Sequence, residues 1–131
     1  MNPEEIVLAF VDCINRHDVN GLCNLMTDDH LFIDSAGAKV QGREEMRKAW
    51  VGYFYMIPDY AIEVKAAMQK DSVVGLFGTT RGTYAAGKPL QDRNRWELPA
   101  SWRAVVRDGK IAEWQVYADN EPVRRIIAGQ P

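Results

Sequence analysis

The sequence predicts an α+β fold, with helices first and then a curved antiparallel sheet packed on them. Three observations lead there. Apolar residues recur at helical spacing as far as Ile57. From Tyr60 onward they alternate in the manner of strands. Asp108-Gly109, set between two apolar stretches, is the strongest hairpin signal in the chain. Helices followed by strands segregate the helices to one face of a sheet.

Each element has its own signature. Asn2 can cap the first helix, Pro3 suits its first turn, and Glu5 can reach back to close a capping box. Ile6, Phe10 and Ile14 form its apolar stripe beside Val7 and Val11, and it ends near Arg16-His17. His17 at that C-terminus complements the helix dipole. Asp18 caps a shorter second helix with Val19, Leu22, Cys23 and Met26 on one face, and Thr27-Asp28-Asp29 ends it. Residues 30–35 alternate as a short strand, with His30, Phe32 and Asp34 facing one way. Gly37 and Gly42 bracket a loop. A third helix runs from Arg43 to Met56 with Met46, Ala49, Trp50, Tyr53 and Ile57 as its buried stripe, until Pro58 stops it.

Residues 61–69 and 73–84 read as strands. The second contains Gly75, Gly78 and Gly82, which allow bulges and sharp bends. Residues 85–97 read as a loop or irregular edge. Ser101–Arg107 and Lys110–Ala118 form the hairpin, and Asp119–Ala128 closes the chain with a short helix. If the sheet curls round three helices it makes a half-open cone, and a cone lined by aromatic residues is a natural pocket.

The 131 residues suit one domain spanning 1–131. Hydrophobic residues at 47% and charged residues at 26% exclude a disordered or low-complexity chain. A net charge of −2 argues against nucleic acid and anionic membrane as partners, because both need a basic surface. No apolar run approaches a membrane span. Glu4 and Glu5 stand where a signal peptide needs positive charge. A cytoplasmic protein is expected, with Cys13 and Cys23 as reduced thiols. The spacing of Cys13, His17, Cys23 and His30 matches no zinc pattern. The glycines of GLFGTTRGT do not lead into Gly-Lys-Ser/Thr, so there is no phosphate loop. No Gly-x-Ser-x-Gly elbow and no Cys–His dyad is present.

Four stretches carry a resemblance: IVLAFVDCINRHDVNGLCNLMTDDHLFIDSAG, WVGYFYMIPDY, GTTRGTY and SWRAVVRDGKIAEWQVYADN. Through them nearly the whole chain resembles the nuclear transport factor 2-like superfamily, in particular its SnoaL-like branch of polyketide cyclases and the related steroid isomerases. The resemblance implies a cone-shaped α+β barrel with an apolar pocket and a homodimer packed through the sheet. It implies no metal and no organic cofactor. It does not imply one reaction, since members include isomerases, cyclases, hydrolases, dehydratases, binding modules and transport factors.

Four residues are candidates for chemistry. Asp34 matches the isomerases' general base, and a carboxylate among apolar side chains is a stronger base than one in water. Its other reading is a cap for the turn before Gly37. Asp119 stands where SnoaL-like cyclases carry an acid/base aspartate, or it caps the last helix. Arg103, if buried, needs a carboxylate such as Asp34 or Asp119, and that trio is similar to the limonene epoxide hydrolase branch. That branch has a further aspartate where this chain has Val105. Otherwise Arg103 lies on a solvated sheet face. His30 shares a strand face with Asp34, or sits at the surface at the strand entry. The isomerases' oxyanion donors are replaced by Phe10 and Ser101, so the known isomerase mechanism is not expected.

Phe10, Trp50, Tyr53, Tyr60, Trp102 and Trp114 are the candidate pocket wall, unless they are plain core. Trp96 is a candidate lid or dimer contact. The expected activity is cofactor-free acid/base chemistry of isomerase, cyclase, dehydratase or hydrolase type on a small apolar, ring-containing molecule. The alternative is a non-catalytic ligand-binding or dimerisation module of the same fold.

Overall fold

The computed structural model describes residues 1–129. Helix α1 spans Pro3–Asn15 and opens with the expected capping box. Asn2 Oδ1 accepts the Glu5 N–H at 2.8 Å, and the Glu5 carboxylate accepts the Asn2 N–H at 3.3 Å. Ile6, Val7, Phe10, Val11 and Ile14 are buried. Helix α2, Val19–Asn24, starts on Asp18, whose Oδ1 accepts the Gly21 N–H at 2.9 Å. Helix α3 runs Arg43–Met56 and buries Met46 and Trp50.

Six strands follow or interleave: β1 Met26–Ile33, β2 Lys39–Gln41, β3 Ala61–Lys70, β4 Val73–Thr83, β5 Arg95–Arg107 and β6 Lys110–Tyr117. A short helix α4, Glu121–Ile127, ends the described chain. The strands form one open, curved sheet in the order β2-β1-β6-β5-β4-β3. Every pairing is antiparallel except β1 with β6, which is parallel. The sheet is therefore mixed, not purely antiparallel.

Strand β2 lies in the segment that was read as a loop between Gly37 and Gly42, and two strands begin earlier than the sequence reading put them. Strand β1 begins at Met26, before the two aspartates that were expected to end α2. Met26 lies opposite Ile111, and the Ile111 N–H donates to the Leu25 carbonyl at 2.6 Å. This long-range ladder overrides the local turn signal. Strand β5 begins at Arg95, well before Ser101. Pro99 obscured it, because proline weakens a strand pattern. Strand β6 ends opposite Ser101, so β5 has an open edge over residues 95–100, where a proline is tolerated.

The hairpin at Asp108-Gly109 is as expected. Both residues have positive φ (53° and 74°), as a tight primed turn requires. Gly78 answers a different need. It pairs with Val64 where β3 bulges, and a Cβ there would come within 1.8 Å of the Glu63 carbonyl oxygen. The glycine lets β3 and β4 close up at the bend.

The core fills the space between the helices and the inner face of the sheet. Phe10, Ile14, Leu22, Met26, Leu76, Trp102, Ile111 and Trp114 are all essentially inaccessible. Each such side chain contributes roughly 1.5–3 kcal/mol by leaving water. Two polar ties fix the frame round the cone. Asn15 exchanges two hydrogen bonds with the Ile62 backbone, at 2.8 and 2.9 Å, and joins α1 to β3. Asp59 accepts the Thr83 N–H and hydroxyl, both at 2.7 Å, and pins the segment after α3 to the end of β4.

Candidate active site

A cavity of about 250 Å³ opens between α3 and the inner face of the sheet. Helix α3 supplies Met46, Ala49, Trp50 and Tyr53 at helical spacing, so all four face the cavity; Met46 and Trp50 are buried, Tyr53 is half-buried, and Ala49, expected in the buried stripe, is exposed at this face. Strand β1 supplies Phe32 and, just past its end, Asp34 and Ser35. Trp114 and Val116 of β6 continue in register as Ala118 and Asn120. Tyr60, Thr80 and Trp96 complete the wall.

The aromatic rings form a continuous chain. Trp50 and Tyr53 meet edge to face, with planes at 88° and centroids 6.2 Å apart. Tyr53 and Tyr60 do the same at 86° and 4.8 Å. Tyr60 then meets Trp96 at 6.1 Å, tilted by 47°. Burial pushes the Tyr60 phenol up to about 12, eased by the neighbouring Thr80 hydroxyl. That hydroxyl is itself buried and meets no partner in hydrogen-bonding geometry. Tyr53 is also raised, by burial first and by the nearby Tyr60 second. Both phenols therefore stay protonated at neutral pH. The indole N–H groups of Trp50 and Trp96 are closed off from solvent and have no partner.

Asp34 lines the cavity, but it is half-buried, not enclosed by apolar side chains. Its Oδ1 accepts the Ala36 and Ala38 N–H groups, each at 2.9 Å. The turn-capping role is thus present, and Oδ2 is left without a protein partner among the described residues. Beside it Asn120 Nδ2 donates to Ser35 Oγ at 2.7 Å.

The other three chemical candidates lie elsewhere. Asp119 is exposed and accepts the Glu121 N–H at 3.1 Å, so it caps the turn into α4. Alternation along β6 explains this, since Ala118 and Asn120 face the cavity and Asp119 faces away. Arg103 is on the opposite face of the sheet, 40% exposed, and its partner is Glu113 at 2.9 Å. It meets neither Asp34 nor Asp119, so the trio does not form and the reading of Arg103 on a solvated sheet face holds. His30 is fully buried, not at the surface, and does not line the cavity. Its Nδ1 lies 2.8 Å from the Ile111 carbonyl, its Nε2 has no partner, and burial pulls its pKa down.

Of the candidate wall, Trp50, Tyr53, Tyr60 and Trp114 line the cavity. Phe10 and Trp102 do not. They sit in the core beneath it, Phe10 4.9 Å from the Trp114 ring and Trp102 6.4 Å from it. Ser101 pairs with Phe77 and Tyr117, both half-exposed, and is on the outer face. Neither Phe10 nor Ser101 can replace the isomerase donors. Thr80, Val116 and Asn120 were not singled out in the sequence. Strand parity could have found them, Thr80 from the buried Val74 and Leu76, and Val116 and Asn120 from Trp114. Trp96 was expected as a lid or contact and is a buried part of the wall.

Comparison with known proteins agrees with this architecture. The family model for the SnoaL-like domain matches residues 7–114. No curated protein matches the sequence. A hypothetical protein of Catenulispora acidiphila with a ketosteroid isomerase-like fold, solved in complex with trimethylamine, is 23% identical with a TM-score of 0.81, covering 100% of this chain and 96% of its own. A protein of Shewanella denitrificans, assigned as a SnoaL-like polyketide cyclase, is 14% identical with a TM-score of 0.82 over 98% of both chains. AclR of Streptomyces galilaeus, assigned as a hydroxylase, is 22% identical with a TM-score of 0.78, covering 98% of this chain and 82% of its own. At these identities the likeness concerns the fold.

Proposed function

Starting from a chain that belongs to the SnoaL-like family, we propose a cofactor-free enzyme that moves a proton on a small, ring-containing, largely apolar molecule held in the cone. One observation carries the reading: Asp34 borders an aromatic cavity with Oδ1 fixed by two backbone N–H groups and Oδ2 without a partner among the described residues. The carboxylate is oriented without a side-chain cation that would occupy it. In this reading Asp34 is the base. Tyr60 and Tyr53, kept protonated by burial, are the donors for a developing oxyanion. Isomerisation, aldol-type cyclisation and dehydration next to a carbonyl can begin with loss of an α-proton to such a base, and in hydrolysis the same base would take the proton from the attacking water. A homodimer packed through the outer face of the sheet belongs to the same proposal.

Exchange of α-protons in D₂O tests the base directly, because it needs no knowledge of the natural product. A ring ketone such as 1-tetralone should exchange faster with the protein than without it. Asp34→Asn keeps the turn-capping oxygen and should lower that rate by about 10²–10⁴-fold. Exchange that is unaltered by the substitution would remove Asp34 from the role.

A second reading, a ligand-binding module without turnover, is favoured by one observation. Asp119, Arg103 and His30 all lie off the cavity, so Asp34 is the sole carboxylate among its lining residues. That reading expects ligands to raise the melting temperature, by about 2.7 kcal/mol of stability at a hundred times Kd, with no exchange in either protein.

A further inference from the structure

The charge and ring geometry of the cavity narrow the ligand further than its shape does. Six aromatic residues line it, and Asp34 is the single carboxylate among the lining residues. No lysine, arginine or histidine joins them. Arg103 is paired with Glu113 on the outer face, and Arg47 and Lys48 of α3 are paired with Glu44 and Glu45 on its exposed side. The two phenols stay neutral. The Trp50 and Trp96 N–H groups are closed off, so the open space meets the carbon framework of those rings.

Aromatic faces carry negative potential and edges positive potential. Trp50, Tyr53 and Tyr60 are turned successively through 88° and 86°, as the walls of a box are. A carboxylate or phosphate ligand would meet no cation and one like charge there. A neutral ring would fill the volume but offer the Asp34 carboxylate no opposite charge to pair with. A ring compound bearing a methylated ammonium uses both features, because its charge is stabilised by ring faces and by a carboxylate while its methyl groups fill the apolar space.

We infer that the cavity selects a ring compound carrying a substituted ammonium group, with the aromatic walls round the methyl groups and Asp34 as counter-ion. The inference rests on the reading that the cone holds a ligand, and not on turnover.

Three phenols of one skeleton separate charge from shape: (3-hydroxyphenyl)trimethylammonium, 3-tert-butylphenol and 3-hydroxybenzoate. Calorimetric titration of the intact protein should give the ammonium compound an affinity on the order of tenfold above its tert-butyl isostere. The benzoate should bind weakest. Asp34→Asn should narrow the ammonium-to-tert-butyl ratio. The same narrowing is expected for the wild type at high ionic strength, which keeps the test available if the variant does not fold. Equal affinities for the two isosteres, or refusal of the ammonium compound, overturns the inference. A ratio unchanged by both the substitution and salt removes Asp34 from it. A ring ketone that is bound and exchanged while the ammonium is refused defeats this inference alone. Ammonium binding without any proton exchange defeats the enzyme reading alone.

Discussion

His30 sets how the protein responds to acid. It is buried beside Phe10, whose ring is 6.1 Å away, with one nitrogen on the Ile111 carbonyl and the other unpartnered. Burial favours the neutral ring and pulls the folded pKa below the unfolded value of about 6.5, against a smaller opposing pull from that hydrogen bond and from Asp29 and Glu113. Below about pH 6.5 the unfolded state therefore binds more protons, and stability rises with pH. Full stability is expected above that pH, with progressive loss as pH falls towards the folded pKa. Urea midpoints measured from about pH 7.5 to 5.5 should decline for the wild type and decline less for His30→Gln. Parallel curves would contradict this. The sequence placed His30 on the same strand face as Phe32 and Asp34, correctly. It could not show burial, because the group that satisfies His30 lies 81 residues away. The Asp34 cap was legible, since the turn before Gly37 is local, and strand parity put Asp34 on the face of Phe32, which lines the cavity. Of the two readings of Asp119, the cap is the one the structure shows, because alternation along β6 turns it away from the cavity.

Helices were legible because their signals are local. The Asn2–Glu5 capping box and the Asp18 cap appear where the spacing puts them, and of the α3 stripe Met46, Trp50 and Ile57 are buried. Strand ends were not, because a partner strand decides them, as at Met26 and Arg95. Helix α4 is a different case. Asn120 is its N-cap residue but gives the helix no side-chain bond, reaching instead to Ser35 at the cavity. Helix α4 has no fully buried residue of its own, although Val123 and Ile126 rest on the core. The Ser35 bond thus ties the start of a lightly packed helix to the segment after β1, beside the cavity. Asn120→Ala removes one exposed bond, so global stability should change by no more than about 0.5 kcal/mol. Amide exchange in residues 121–127 should nonetheless accelerate. Equal exchange rates in the two proteins would show that the latch does not hold α4.

At the scale of the molecule the sheet has two unlike faces. Alternation puts Leu76, Trp102 and Val116 inward and Phe77, Ser101 and Tyr117 outward, as one row across β4, β5 and β6. The class of fold followed from the order of helices and strands. The parallel β1–β6 pair did not, because nothing local marks two strands as neighbours when most of the chain separates them. Among the described residues no helix is long and apolar enough to cross a membrane. The outward row bears on the proposed dimer. Phe77 and Tyr117 are 47% and 48% exposed, and they flank a shallow groove with Pro99 and Ala100. Arg103 and Glu113 form an ion pair on the same face, in the adjoining rows. A stable interface needs about 800 Å² from each subunit, and two-fold symmetry would set each row against its copy. A glutamate at position 77 would put like charges into such a contact while leaving the inner face untouched. Phe77→Glu should therefore be monomeric in sedimentation, with the far-ultraviolet spectrum and α-proton exchange of the wild type. If the wild type itself sediments as a monomer, the outer face is not a self-contact. The cavity, which lies wholly on the inner face of one chain, would still stand as a site by itself.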